Sequence, residues 1–130
     1  MFEVNRKVET DGDIFITAMI NQAKKRGGLN SMIFVPNMNT ANEYLRYIEN
    51  HSEDTQSYVM NDNHIKVTLA SGSTIDIWSV RLFCEIKAVV QNCDGIFIDS
   101  RLVGDIQECG VFLPLTTTNG GVFLIKGVEL

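Results

Sequence analysis

Two short runs, Ser31-Met32-Ile33-Phe34-Val35 and Gly95-Ile96-Phe97-Ile98, are apolar without any alternation. A strand of this kind has no side to turn toward water, so it must be covered on both faces. That requirement narrows the fold to a sheet held between two other layers, with parallel strands joined by helical crossovers. Pro36 stops the first run, and Asp99 stands at the end of the second. With 130 residues, 45% of them hydrophobic, the chain has material for one such domain spanning residues 1–130 and is short for two.

The remaining pattern switches between periods of two and about 3.6 residues, as an α/β chain should. Phe2, Val4 and Val8 predict a first strand, closed by the polar turn Glu9 to Asp13. A helix is expected next, with Ile14, Phe15, Ala18, Met19 and Gln22 on its inner face. Asp11 or Asp13 would cap it, Lys24-Lys25-Arg26 suits its C-terminal dipole, and Gly27-Gly28 ends it. After the Ser31 strand, Thr40 and Glu43 form a capping-box pattern for a second helix whose inner face is Ala41, Tyr44, Leu45 and Ile48. It should fray through Asn50 to Asp54. Ile65, Val67 and Leu69, then Ala70-Ser71-Gly72-Ser73, then Ile75 and Ile77 read as a β-hairpin. A short helix over 82–90, the strand ending at Asp99, a helix over 103–113 and a last strand over Val122-Phe123-Leu124-Ile125 complete the series.

Charge and cysteine content exclude several classes of function. A formal net charge of -5 opposes direct nucleic-acid binding, which relies on Lys and Arg to neutralise phosphates. Lys24-Lys25-Arg26 is accounted for by its place at a helix C-terminus. The three cysteines, Cys84, Cys93 and Cys109, include no Cys-x-x-Cys pair and cannot all pair within one chain, which fits reduced packing residues. The opening Met1-Phe2-Glu3-Val4-Asn5-Arg6 has no signal-peptide character and no run is long enough to cross a bilayer. The expectation is a cytoplasmic protein without membrane contact. His51 and His64 lie in polar stretches with no second ligand at metal spacing, so they read as solvated histidines.

The order of elements carries a resemblance. Gly12 leads into an Ala-containing helix, and Met32 to Pro36 forms a strand with a terminal Pro. His64 to Val80 encloses a Ser71-Gly72-Ser73 hairpin, Gly95 to Asp99 is an apolar strand delivering an aspartate, and Phe112-Leu113-Pro114-Leu115 leads to Gly120-Gly121-Val122-Phe123-Leu124-Ile125. In this order the chain resembles the front part of the ATPase domain of phage large terminases, the DNA-packaging motors among the P-loop NTPases. The resemblance covers nearly all 130 residues. It implies a three-layer α/β fold with a mainly parallel sheet and an inserted β-hairpin, truncated relative to the family. The strand ending at Asp99 should lie beside the first strand, with helices on both faces. The resemblance also makes Asp99 the aspartate that holds Mg²⁺ and Gly12 part of the phosphate loop.

The departures from the family are chemical. A phosphate loop reads Gly-x-x-x-x-Gly-Lys-Ser/Thr, so that amides cradle phosphate, Lys neutralises it and the hydroxyl binds Mg²⁺. With Gly12 as the second glycine, Lys7 takes the first-glycine position, Asp13 the Lys position and Ile14 the hydroxyl position. Ser100 stands in place of the catalytic Glu, and Lys126-Gly127 in place of the Thr/Ser coupling run. Losing one such contact ordinarily lowers the rate of phosphoryl transfer by orders of magnitude. Three independent parts of the apparatus are changed here.

Two functional readings follow. The first is a non-hydrolysing, phage-encoded protein-binding or regulatory module with no cofactor. Its sheet would end at Val122 to Ile125 and offer an edge to a protein partner or to a second copy. Val122, Leu124 and Trp78, the last flanking the hairpin with Tyr58, are its interface candidates. The alternative is an ATP- and Mg²⁺-binding subunit of a DNA-packaging or helicase-type ATPase, in which Gly12 and Asp99 retain cofactor contacts and Asp99 the metal. A bland role for Asp99 competes with both, since an aspartate at a strand end also caps the turn that follows.

Overall fold

The computed structural model describes residues 12–25, 27–51, 55–81, 85–86, 93–102 and 116–125, with the backbone alone at 12–15, 24, 55–56 and 116–125. Helix α1 spans Gly12–Lys25, strand β1 Asn30–Val35, and helix α2 Met38–His51. Strands β2 (Thr55–Met60), β3 (His64–Leu69), β4 (Thr74–Ser79), β5 (Cys93–Asp99) and β6 (Thr116–Ile125) follow. They form one mixed sheet in the order β2-β3-β4-β1-β5-β6. The β1–β4, β1–β5 and β5–β6 ladders are parallel, while β3 pairs antiparallel with both β2 and β4. Only β3 therefore runs against the rest, and the expected hairpin is β3–β4. The expected first strand over Phe2 to Val8 and the helices over 82–90 and 103–113 lie outside the described residues or almost wholly so.

The neighbours of β5 among the described strands are both assigned. A strand has two hydrogen-bonding edges, and β5 uses one on β1 and the other on β6. The strand expected over Phe2 to Val8 lies outside the described residues, so its place beside β5 is not described.

Side chains alternate across the sheet. On one face, Ile33 and Val35 of β1, Ile65, Val67 and Leu69 of β3, Ile75 and Ile77 of β4 and Phe97 of β5 form a single core with both helices. Helix α2 contributes Ala41, Tyr44, Leu45 and Ile48, as its periodicity predicts, together with Tyr47. On the opposite face Met32, Phe34, Ile96 and Ile98 are also buried, which is the two-sided burial that the continuous apolar runs require.

Both helices depart from expectation at one point. The inner face of α1 is Ile16, Met19, Ile20 and Ala23, while Ala18 and Gln22 are exposed. Both stripes have helical spacing, and the one bearing two isoleucines rather than a glutamine buries more apolar surface. The N-cap of α2 is Asn37 rather than Thr40. Asn37 Oδ1 accepts the Thr40 N–H at 2.8 Å, and the Asn37 carbonyl accepts the Ala41 N–H at 3.1 Å. Thr40 is thereby drawn into the first turn and buried.

The β3–β4 turn fixes the end of α1. Ser71 Oγ and Ser73 Oγ both donate to the Ala23 carbonyl, at 2.6 and 3.0 Å, and Leu29 N–H donates to Ser73 Oγ at 3.2 Å. These hydroxyls satisfy a carbonyl that the last helical turn leaves without an internal donor. Gly28 and Gly72 take φ values of +80° and +90° where the chain reverses. A Cβ at Gly27 would sit 2.5 Å from the Ser71 carbonyl oxygen, so the two segments meet only because Gly27 has no side chain. Gly27→Ala is expected to lower stability by about 1–3 kcal/mol through this backbone clash. Urea denaturation checks it, and an unchanged midpoint would contradict so tight a contact.

Candidate functional site

Asp99 closes β5 and is fully buried. The chain then turns, with Leu102 N–H donating to the Asp99 carbonyl at 2.9 Å. That turn brings Arg101 back onto the carboxylate. Oδ1 accepts from the Arg101 backbone N–H at 3.0 Å and from Arg101 Nε at 2.9 Å. Oδ2 accepts from the second prong of the guanidinium at 2.8 Å and from Tyr44 Oη of α2 at 3.0 Å.

An ionised carboxylate offers about four lone-pair positions, and these four donors occupy them. The guanidinium supplies the countercharge in forked geometry. Asp99 therefore ties the end of β5 to α2 and to its own turn, in keeping with the capping role. The Asp99 hydrogen bond holds the Arg101 guanidinium above its ordinary range, and burial followed by the Asp99 charge holds the Tyr44 phenol far above its own. Ser100, which the expected resemblance sets against a catalytic Glu, is a half-buried residue inside the turn. Among the described residues no group of three or more His, Cys, Asp or Glu side chains is placed to hold a metal.

The other candidates fall elsewhere. Gly12 is the first residue of α1, and the side chains of Asp13 and Ile14 lie outside the described set. Val122 and Leu124 of β6 stand in register with Ile96 and Ile98. Trp78 is half-buried near the end of β4, with its indole stacked on His64 at 3.9 Å and 11° between planes. Its Nε1 is buried without a hydrogen-bond partner among the described residues.

His64 is also less solvated than its polar neighbours imply. Its Nε2 donates to Asp76 Oδ1 at 2.7 Å, and Asp76 Oδ2 accepts from Asn30 Nδ2 at 2.9 Å. Asn30 Nδ2 donates to Thr74 Oγ1 at 2.8 Å and the Asn30 backbone N–H to Asp94 Oδ2 at 2.8 Å. This network joins β3, β4, β1 and β5 on the face opposite α1 and α2.

Arg101 and Tyr44 are the partners that the sequence did not single out for this site. An Arg two residues after a strand-end Asp was the available signal, because an Asp-x-Arg turn lets both the backbone N–H and the guanidinium reach one carboxylate. No helix among the described residues is long and apolar enough to cross a membrane. Comparison with family models, curated proteins and solved structures gives no match to this chain.

Proposed function

We propose that this protein is a non-hydrolysing, phage-encoded P-loop-like module of three-layer architecture that acts by binding protein. The observation that carries the reading is the saturation of Asp99, whose carboxylate is engaged by Arg101 and Tyr44 of its own chain. A residue that would hold Mg²⁺ in the resembled family is here part of the scaffold. Asp13 and Ile14 at the phosphate-loop positions and Ser100 at the catalytic position point the same way. Apolar burial on both faces of β1 and β5 supports a sheet covered on both sides.

Isothermal titration of the full chain with ATP and with ADP, each with Mg²⁺, tests this reading. The expected result is no binding heat and no change in melting temperature. Micromolar binding would overturn it in favour of a nucleotide-binding subunit with an altered phosphate loop.

A further inference from the structure

Among the described residues, strand β2 is the outermost strand on its side of the sheet and pairs only with β3. Its three large apolar side chains face water: Tyr58 is 48%, Val59 62% and Met60 44% exposed. Edge strands ordinarily carry charge, proline or strong irregularity against chance pairing. Thr55-Gln56-Ser57-Tyr58-Val59-Met60 contains no charged residue, no proline and no glycine. Its one irregularity is a bulge between Thr55 and Ser57, which leaves Tyr58 to Met60 as the regular part.

The hydrogen-bond phase shows which groups point outward. Asn61 N–H donates to the His64 carbonyl at 2.8 Å, so Asn61 and His64 form a hydrogen-bonded pair at the turn. Antiparallel pairs alternate, which makes Met60–Ile65 a non-hydrogen-bonded pair, Val59–Lys66 a bonded one and Tyr58–Val67 non-bonded again. The backbone N–H and C=O groups of Tyr58 and Met60 therefore face the outer edge, which no described strand pairs, and those of Val59 face β3.

We propose that β2 pairs antiparallel with β2 of a second copy of this chain, on a two-fold axis through Val59. This inference rests on the protein-binding reading above and names the partner. In this register Tyr58 faces the partner's Met60 and exchanges two hydrogen bonds with it, and the symmetric pair does the same. Tyr58 and Met60 share the helix-side face, where Met sulfur meets an aromatic ring, while Val59 meets the partner's Val59 on the other face. All three exposed apolar side chains are covered at once. Shifting the axis to Tyr58 would instead set Met60 against the partner's Gln56, within the bulge.

Charge does not bar a second copy at this edge. Two copies that each carry a net charge of -5 repel in general, and the uncharged β2 edge lets them meet without opposing like charges. A single strand pair buries less than a standard interface, so the dimer should be weak and strongly concentration-dependent.

Sedimentation velocity on the full chain over a wide concentration series tests the proposal. The wild-type mass should rise toward twice the monomer value. Val59→Glu should stay monomeric, because two carboxylates would face each other on the axis. Its fold is protected, since the substituted position lies beside Lys66 in the β2–β3 ladder, and an unchanged melting temperature verifies this. Val59→Lys, with its melting temperature checked because it sets Lys opposite Lys66, should likewise be monomeric, and an equimolar mixture of V59E with folded V59K should form a heterodimer. That rescue is specific to the Val59–Val59 register. A wild-type chain that stays monomeric throughout, a V59E dimer, or a mixture without rescue would each overturn the proposal. The nucleotide titration is independent: binding of ATP defeats the module reading whatever the mass, and a monomer that binds no nucleotide defeats only the β2 pairing.

Discussion

Asp99→Ala is expected to lower folding stability by about 3 kcal/mol at neutral pH, a loss set by the groups it strands. Tyr44 is fully buried, and its hydroxyl would lose the acceptor at 3.0 Å that satisfies it. An orphaned buried hydroxyl costs about 1–3 kcal/mol, and the charge-assisted bonds to Arg101 contribute a similar amount. The Arg101 side chain is half exposed, so water would re-solvate the freed guanidinium and soften the second contribution. For the same reason Arg101→Ala should cost less, about 1–2 kcal/mol, because water reaches the carboxylate where the guanidinium stood. Urea denaturation of the two variants decides the matter. An Asp99→Ala midpoint equal to wild type would mean that the carboxylate does not secure the turn to α2.

The same reasoning changes how a nucleotide experiment should be designed. In an intact phosphate-binding site, removing the aspartate would abolish affinity and spare the fold. Here the substitution acts on the fold, so lost binding in the variant would not identify a metal ligand. The wild-type chain is the one to titrate.

Legibility of the fold in the sequence followed the amount of apolar surface that each element buries. β1 and β5 are buried on both faces and read clearly, as did the inner face of α2 and the alternation across β3 and β4. β2 is not legible in the sequence, for a physical reason. An edge strand with Tyr58, Val59 and Met60 all exposed need not alternate, so Thr55 to Met60 carries no period-two signal. The α1 face is not decided by the sequence, because two stripes on one helix share the spacing and tertiary packing chooses between them. The Ser71-Gly72-Ser73 turn was legible as a turn. That its hydroxyls would hold the Ala23 carbonyl was not, since the contact spans about fifty residues of chain. At the candidate site the aspartate was visible and its partners were not. Tyr44 reads as a core residue by periodicity, and its hydroxyl's destination is set by the packing of α2 on β5.

Alkaline conditions should unfold this protein at a point set partly by Cys93. The thiol is buried at the start of β5. Burial first, with the nearby Asp94 and Asp76 charges adding to it, pushes the thiol up to about 12 from an ordinary 9.0. A group raised in the folded state stabilises fully below its unfolded value, and that stability is lost as pH rises through the folded one. The window therefore opens near pH 9 and closes near pH 12. By pH 11 the thiol alone should have cost about 2–3 kcal/mol, from linkage at about 1.4 kcal/mol per pH unit. Tyr44 has the same sign and adds a loss that begins near its unfolded value of 10.0. Stability measured by urea at pH 8 and pH 11 should fall steeply in the wild type, and Cys93→Ala should flatten the fall by one proton's worth of slope. Tyr44→Phe should flatten the upper part only, because its window opens about one pH unit later. If Cys93→Ala and wild type lose stability in parallel over this range, the thiol is not buried as protonated Cys93, and the packing at the start of β5 is other than described.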